Sequence, residues 1–202
     1  LLRFFTTDAA ALAVAANGSF FAHARRDGTV EISASDPTVA SIKFSTGMRE
    51  ITAMAIAPDP RRRAGSAGNP FAGWLLAAAS SSGSVVTWDL NTQLPISMIT
   101  GIIHNVYALR FSPNSLLIAL AGHQTAQIWD VFGARHVLDL QYTNWGRDIA
   151  WSTDGRMLAT QGRNDNELEG ARVWQLEADQ GVTTLRGLAD AAVKVVFNSN
   201  GR

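Results

Sequence analysis

An all-β fold built from repeated antiparallel sheets is predicted by three features of this sequence. Short apolar runs with a period of two alternate with turn residues along the chain, which is typical of antiparallel strands. The same order of runs and turns begins at five places, and a tryptophan stands at the equivalent position in three of the copies. Internal repetition of this kind decides the fold class before any single motif does.

The clearest copy of the repeat covers residues 106–131. Alternating apolar residues lead to a turn at 112–114, a second apolar run covers 116–121, and His123 with Gln124 turns the chain into a third run at 126–129. Three runs separated by two short turns predict three consecutive strands of an antiparallel meander.

The copies share one period. The apolar residues that precede the first turn of each copy are 42, 55, 40 and 46 residues apart, and they are Val14, Ile56, Phe111, Trp151 and Phe197. The third-strand landmarks keep the same phase, and they are Ser33, Trp88, Trp129 and Trp174. A period of roughly 40 to 45 residues is that of a β-propeller blade. The sequence therefore predicts about four four-stranded antiparallel blades that bury their faces against one another, with partial blades at both ends.

The predicted blades divide the chain into successive segments of one propeller domain. Residues 1–5 are expected to form an outer strand of a preceding blade, and the full blades are expected at 6–46, 47–100, 101–141 and 142–186, followed at 187–202 by the start of another. Since one outer and one inner strand do not make a blade, we expect a fragment of a propeller with six to eight blades. The alternative is a closed four-bladed ring.

A first insertion, residues 60–73, lengthens the second blade between two strands. It is rich in Pro, Gly and Arg, which argues against a strand. Its basic residues are Arg61, Arg62 and Arg63. They form either a solvated loop or a loop that docks phosphate or an acidic partner.

A second insertion, residues 164–170, lengthens the fourth blade and is acidic. Asp165, Glu167 and Glu169 are solvated, contact a basic partner, or hold a hard cation through oxygen ligands. No preference for a metal follows from the sequence, so we predict none.

Composition excludes several classes of protein. With 17 basic and 17 acidic residues the formal net charge is zero, so no long-range field favours nucleic acid or an anionic membrane. The 202 residues include no cysteine, which excludes disulfides and thiol catalysis. No apolar run reaches the ~18 residues of a membrane span, and a cytoplasmic location is the default expectation. Asn17 with Gly18 fits a hairpin turn better than a glycosylation site.

The motifs resemble those of the WD-repeat (WD40) family. The matching pairs are Trp88 with Asp89 and Trp129 with Asp130, and Trp174 with Gln175 is a worn copy. The first-strand endings at 111–114, 151–155 and 197–201 are similar to the family's FSPDG. We expect the aromatic residues Trp88, Trp129, Trp174, Trp151 and Phe111 to pack the blades.

The family's hydrogen-bonded network of His, Asp, hydroxyl and Trp is absent as an intact set. Its His position holds Gly47, Ile102, Tyr142 and Leu188 in the successive copies. Its Asp is replaced by Ser at 80–82 and is retained only as Asp27. These blades are therefore expected to depend on packing more than on buried polar networks.

The resemblance implies a binding surface formed by the loops between fourth and first strands and between second and third strands. The candidate partner-binding residues there are Trp145, Arg147, Tyr142, Tyr107, Asn105, Asp165, Glu167, Arg25 and Arg26. Trp145 with Arg147 is the best hot-spot candidate, because Trp, Tyr and Arg dominate interface energetics. The alternative is that Trp145 fills the place of the missing His network.

The sequence contains no nucleophile elbow, phosphate-binding loop or dinucleotide fingerprint, and its four histidines are scattered. We therefore predict no enzyme and no cofactor. The leading hypothesis is a scaffold that holds other proteins, as a sensor or assembly module of a larger signalling or regulatory chain. The alternatives are a structural propeller that supports a large assembly and, third, a propeller hydrolase.

Overall fold

The computed structural model describes residues 9–62, 69–102, 105–163, 169–176, 182–186 and 194–198. All regular elements in these ranges are β-strands joined in antiparallel pairs, so the predicted all-β fold of four-stranded blades is confirmed. The strands are β1 (Ala9–Val14), β2 (Phe20–Arg25), β3 (Thr29–Ala34), β4 (Ile42–Ser45), β5 (Ile51–Pro58), β6 (Trp74–Ser80), β7 (Ser84–Asp89), β8 (Leu94–Thr100), β9 (Ala108–Phe111), β10 (Leu117–Ala121), β11 (His123–Asp130), β12 (His136–Trp151), β13 (Met157–Arg163), β14 (Glu169–Gln175) and β15 (Val182–Arg186).

The chain forms two compact units, residues 1–100 and residues 101–202. Unit 1 contains two four-stranded sheets, in the orders β1-β2-β3-β4 and β5-β6-β7-β8. Every pair of neighbouring strands is also consecutive in the chain, which is the meander that the alternating apolar runs predict.

The two sheets of unit 1 share one apolar core. Phe20 is fully buried and meets the rings of Phe71 and Trp74 edge to face, each at a centroid distance of 5.2 Å. Trp88 lies in the same core and contacts the ring of Phe44 at 5.8 Å. A sheet of small and β-branched residues cannot bury both faces alone, so the aromatic side chains fill the space between the two blades.

Unit 2 contains one seven-stranded sheet in the order β15-β14-β13-β12-β11-β10-β9. Its long strand β12 pairs with β11 through its first half and with β13 through its second half. With β12 counted in both, the sheet consists of two four-stranded blades. The boundary expected between residues 141 and 142 therefore falls inside a continuous strand, and the change of partner occurs near Trp145.

The first turn of each blade is closed by the same device. A side-chain oxygen accepts the backbone N–H two residues later, at 2.9 to 3.1 Å, in the pairs Asn17 with Ser19, Asp59 with Arg61, Asn114 with Leu116, and Asp154 with Arg156. Asn and Asp favour such turns because their short side chains replace a backbone acceptor. This repeated geometry explains why Asn or Asp recurs at that point of the sequence.

A remnant of the WD-repeat hydrogen-bond network survives in the last blade of unit 2. The indole N–H of Trp174 donates to Thr160 Oγ1 at 2.9 Å, and both side chains are buried. The Trp129 indole N–H has no acceptor within the described part of the chain, and its ring meets His136 edge to face at 5.0 Å. The tryptophans of the repeat are thus alike in position but not in bonding.

The aspartates that follow the tryptophans close the turns after the third strands. Asp89 Oδ1 accepts the N–H of Asn91 at 2.8 Å, and Asp130 Oδ1 accepts the N–H of Gly133. Trp151, in the first strand of its blade, donates its indole N–H to the Arg110 carbonyl at 3.2 Å, and Phe111 is half-buried.

Few residues are described near the two ends of the chain. The strand expected at residues 1–5 lies outside the described residues. Residues 194–198 are described and form no strand, but the Val195 N–H donates to Asp148 Oδ2 at 3.0 Å. Asp148 also pairs with Arg110 at 3.3 Å, so one buried carboxylate joins β9, β12 and this segment.

Candidate functional site

Four segments of unit 2 meet along one side of its sheet, where β9 begins, β10 is followed by β11, β12 changes partner and β13 ends. The Tyr107 N–H donates to the Ala121 carbonyl at 2.8 Å, and the Gly146 N–H donates to the Gly122 carbonyl at 2.9 Å. Trp145 is in register with His123 on one side and with Arg163 on the other. We call residues 105–107, 122–124, 145–147 and 162–163 the convergent edge.

The convergent edge contains a large part of the predicted partner-binding set. Asn105, His123 and Arg147 are exposed there, and Tyr107 is half-buried. The backbones of Tyr142 and Trp145 lie in β12, but their side chains are outside the described residues, as are Asp165 and Glu167. The structure thus brings Asn105, Tyr107, Trp145 and Arg147 to one place by their backbones, and it leaves the acidic insertion without a description.

The backbone of the convergent edge is held in unfavourable geometry at two non-glycine residues. Asn105 has φ of 58° and Gln124 has φ of 65°. A left-handed residue that is not glycine costs about 1–2 kcal/mol, and such residues persist where surrounding contacts hold them, often at binding sites. The sequence placed Gln124 with His123 at the turn between the second and third strands, but Gln124 was not predicted to bind a partner.

Arg25 and Arg26 lie in unit 1, Arg25 as the last residue of β2 and Arg26 in the turn that follows it. Arg25 Nη2 lies 3.3 Å from Glu31 Oε2, which also receives Lys43 Nζ at 3.2 Å. Burial raises the pKa of Glu31, but the hydrogen bond and charge of Lys43 outweigh it, so the pKa is lowered. Arg25 is therefore held by its own blade, whereas Arg26 is exposed.

The neighbouring His23 belongs to the same group of polar side chains as Arg25, Glu31 and Lys43. It lies opposite Glu31 in the register of β2 and β3. Its Nε2 atom is 3.7 Å from the Glu31 carboxylate. Burial lowers the pKa of His23, and Glu31 opposes the shift without cancelling it. These contacts with Glu31 stabilise the sheet of the first blade and hold Arg25 in place.

The basic insertion is fastened to its own blade. Arg61 forms two hydrogen bonds to the buried Asp59 carboxylate, from Nε at 2.9 Å and from Nη2 at 2.8 Å. Arg62 Nη2 lies 3.2 Å from Asp89 Oδ2, and Arg63 is outside the described residues. Two of the three predicted basic side chains thus stabilise the turn that starts the insertion. Sequence reasoning missed their partners, although Asp59 stands two residues before Arg61.

Acid is expected to weaken unit 1 through Asp59. The hydrogen bond from Arg61 holds the pKa of Asp59 below its ordinary value of 3.8. A carboxylate whose pKa is lower in the folded state stabilises the fold above its unfolded pKa, and this stabilisation is lost as the pH falls through the folded pKa. Asp59→Asn should lower the free energy of unfolding by about 1–2 kcal/mol at pH 7 and flatten its fall between about pH 5 and 2.

Urea denaturation of wild type and variant across that pH range measures this effect. Arg61→Ala should flatten the same part of the curve, because it removes the group that lowers the pKa of Asp59. A pH dependence in Asp59→Asn as steep as that of the wild type would exclude Asp59 as its source.

Other chemistry is sparse in the described part of the chain. Within those ranges no three His, Cys, Asp or Glu side chains are grouped so that they could hold a metal ion. The same ranges contain no helix long and apolar enough to cross a membrane.

Comparisons with known proteins agree with the geometry. Residues 97–130 match the family described as WD domain, G-beta repeat, which covers the clearest copy of the repeat. The chain is 35% identical over 120 residues to the nuclear distribution protein PAC1 of Arthroderma otae, covering 54% of this chain and 25% of that protein. It is 32% identical over 118 residues to the nuclear distribution protein nudF of Aspergillus niger, covering 56% and 26%. The match thus spans about a quarter of the length of these relatives.

Proposed function

Residues 97–130 form a WD repeat, and from that premise we propose that the chain is a WD-repeat protein that acts as a non-catalytic scaffold, with other proteins bound at its convergent edge. WD-repeat relatives named as nuclear distribution proteins support the further proposal that its partners act in that process. A cytoplasmic location and the lack of any cofactor belong to the same proposal.

The observation that carries the proposal is the meeting of four chain segments at the convergent edge. Two backbone hydrogen bonds and two strand registers join segments that are far apart in sequence, from Tyr107 to Arg163. Loops positioned by a rigid sheet are the usual place for binding residues. Because the backbone is already fixed, little conformational entropy is lost when a partner binds.

The residue types at the edge suit a protein partner. Arg147 is exposed, Tyr107 is half-buried, and Trp145 lies two residues before Arg147 in β12. Trp, Tyr and Arg are the residues that contribute most to protein interfaces when they are truncated to alanine. The formal net charge of zero gives no support for nucleic acid as the partner.

Alanine variants test the proposed edge. We expect the double variant Trp145→Ala with Arg147→Ala to weaken binding of captured partner proteins by at least about tenfold, since hot-spot truncations exceed about 1 kcal/mol each. The measurement is quantitative affinity purification from the source cells, followed by titration of the purified partner.

Arg135→Ala is the matched control, because Arg135 is an exposed arginine in the turn between β11 and β12, away from the convergent edge. The control should bind as the wild type does. Equal retention of partners by the double variant and the control would refute the proposed edge, provided both variants melt at the wild-type temperature.

A structural role in a large assembly is the second candidate, and one observation favours it. Leu94 and Met98 are 63% and 61% exposed on β8, which pairs only with β7. Exposed apolar side chains on an edge strand are often covered in an assembly. If Leu94→Glu with Met98→Glu abolishes assembly while the convergent-edge variants do not, this candidate replaces the first.

A further inference from the structure

Three turns of unit 1 are tied together at one edge of its sheets. The Gly28 carbonyl accepts the Thr46 N–H at 3.1 Å and the Thr46 hydroxyl at 2.7 Å. The Ser81 N–H donates to the Glu50 carbonyl at 3.1 Å, and the Ser81 hydroxyl donates to Glu50 Oε2 at 2.6 Å. We call residues 25–28, 46–50 and 80–83 the unit 1 edge. Like the segments of the convergent edge, these turns lie between second and third strands or between fourth and first strands of successive blades.

The acidic side chains of the unit 1 edge are already engaged. Asp27 Oδ1 accepts the Thr29 N–H at 2.8 Å, which lowers the pKa of Asp27. Glu50 accepts the Ser81 hydroxyl, and the nearby Glu31 is paired with Arg25 and Lys43. Asp27 and Glu50 keep their charge, because their donors are neutral, but their carboxylate oxygens are already bonded within the chain.

Two cations of the unit 1 edge, Arg26 and Arg49, are not engaged in this way. Arg26 and Arg49 are exposed, and neither forms an ion pair with any residue in the described ranges. Gly28 lies against Met48, since a Cβ added at Gly28 would be 2.0 Å from the Met48 carbonyl oxygen. Arg26 precedes this contact by two residues and Arg49 follows it by one, so the two guanidinium groups start from adjoining turns.

The turn that carries Arg49 is fixed by its own bonds. The Met48 N–H donates to Thr46 Oγ1 at 3.1 Å, and Gly47 and Glu50 both have left-handed backbones, with φ of 69° and 51°. A left-handed glutamate is held there by its two bonds with Ser81. Arginines on fixed turns lose less entropy on binding than arginines on a mobile loop.

From this arrangement we infer that the unit 1 edge binds an acidic segment of a partner protein, with Arg26 and Arg49 each pairing with a carboxylate. Planar guanidinium groups bind carboxylates with two parallel hydrogen bonds, which gives direction as well as attraction. Two cations are too few for the multiple phosphate contacts by which nucleic acids are held. The inference rests on the proposed scaffold function and names the chemistry of one class of partner.

The test uses the full chain and a fluorescein-labelled hexaglutamate peptide, with binding followed by fluorescence anisotropy. We expect saturable binding in 50 mM NaCl that weakens in 500 mM NaCl, because exposed ion pairs are screened by salt. Arg26→Ala with Arg49→Ala should weaken binding at least about tenfold, which corresponds to about 0.7 kcal/mol for each arginine. Arg135→Ala with Arg156→Ala removes the same charge from two exposed arginines of unit 2 that lie away from the convergent edge, and it should change binding less than about twofold.

Three outcomes would overturn the inference. They are no saturable binding of hexaglutamate by the wild type, equal weakening by both double variants, and displacement of hexaglutamate by an equimolar oligothymidylate. A phosphoserine peptide that binds where hexaglutamate does not would also overturn the carboxylate assignment. If partner proteins still depend on the convergent edge in the capture experiment, the proposed function stands although this inference fails.

Discussion

Gly28→Ala is expected to reduce the free energy of unfolding of unit 1 by about 2–5 kcal/mol, the sum of about 1–2 kcal/mol for a left-handed backbone and about 1–3 kcal/mol for overpacking. Gly28 has φ of 83°, and an added Cβ would lie 2.0 Å from the Met48 carbonyl oxygen. Because that neighbour is backbone, the turn must move, and both bonds from Thr46 to the Gly28 carbonyl weaken. Urea denaturation followed by circular dichroism measures the loss.

Gly18→Ala separates the two causes. Gly18 also has a left-handed backbone, with φ of 69°, but a Cβ there meets nothing within 4 Å. Its loss should therefore be limited to about 1–2 kcal/mol from the backbone. If both alanine variants lose the same stability, the close contact between the turns at 25–28 and 46–50 is not what requires glycine.

Trp88→Ala is expected to lower the free energy of unfolding by about 3–5 kcal/mol, as truncation of a buried tryptophan leaves a large cavity. Trp88 is 3% exposed and belongs to the core shared by the two sheets of unit 1. Its ring contacts Phe44 of the neighbouring sheet at 5.8 Å. Thermal and urea denaturation of the variant measure the loss, and exposure of apolar surface between the sheets should raise dye binding.

Trp129→Ala is the control at the equivalent position of the repeat. Trp129 is only half-buried, and its indole N–H has no acceptor within the described ranges. We expect a smaller loss, about 2 kcal/mol, since less apolar area returns to water. A greater loss for Trp129 than for Trp88 would contradict the assignment of Trp88 as the aromatic residue that joins two blades.

The repeat could be predicted because it depends on residues that are close together in the sequence. The stretch 106–131 was expected to contain three strands, and it contains β9, β10 and β11. Turn chemistry at Asn114 and Asp154 was equally visible, because the oxygen acceptor and its N–H donor are two residues apart. His123, expected in a turn, already belongs to β11, and Gln124 supplies the left-handed residue there.

The pairing of distant residues could not be predicted from the same features. The boundary near Gln141 follows from the period, but whether one strand continues through it depends on which neighbours are present on each side. The ion pairs of Arg61 and Arg62 with Asp59 and Asp89 depend on how the turn folds back on the blade. Composition alone marked that insertion as a solvated or phosphate-binding loop.

The engagement of Arg25 shows the same limit in the candidate site. Sequence placed Arg25 and Arg26 together in one turn, and only the cross-strand register of Glu31 distinguishes them. Arg49 was not among the predicted binding residues, because its approach to the turn of Arg26 depends on the contact of Gly28 with Met48. The sequence identifies which turns lie on the same side of the blades. The contacts formed on folding determine which side chains of those turns remain able to bind a partner.

The convergent edge as the partner-binding surface is tested most directly by site-specific photo-crosslinking. A benzoylphenylalanine placed at position 124 or 147 should crosslink to the captured partner, whereas the same probe at position 135 should not. Gln124 and Arg135 are both exposed and lie near opposite ends of β11, so the probe is equally able to react at either position. Crosslinks at 135 with none at 124 or 147 would contradict the account.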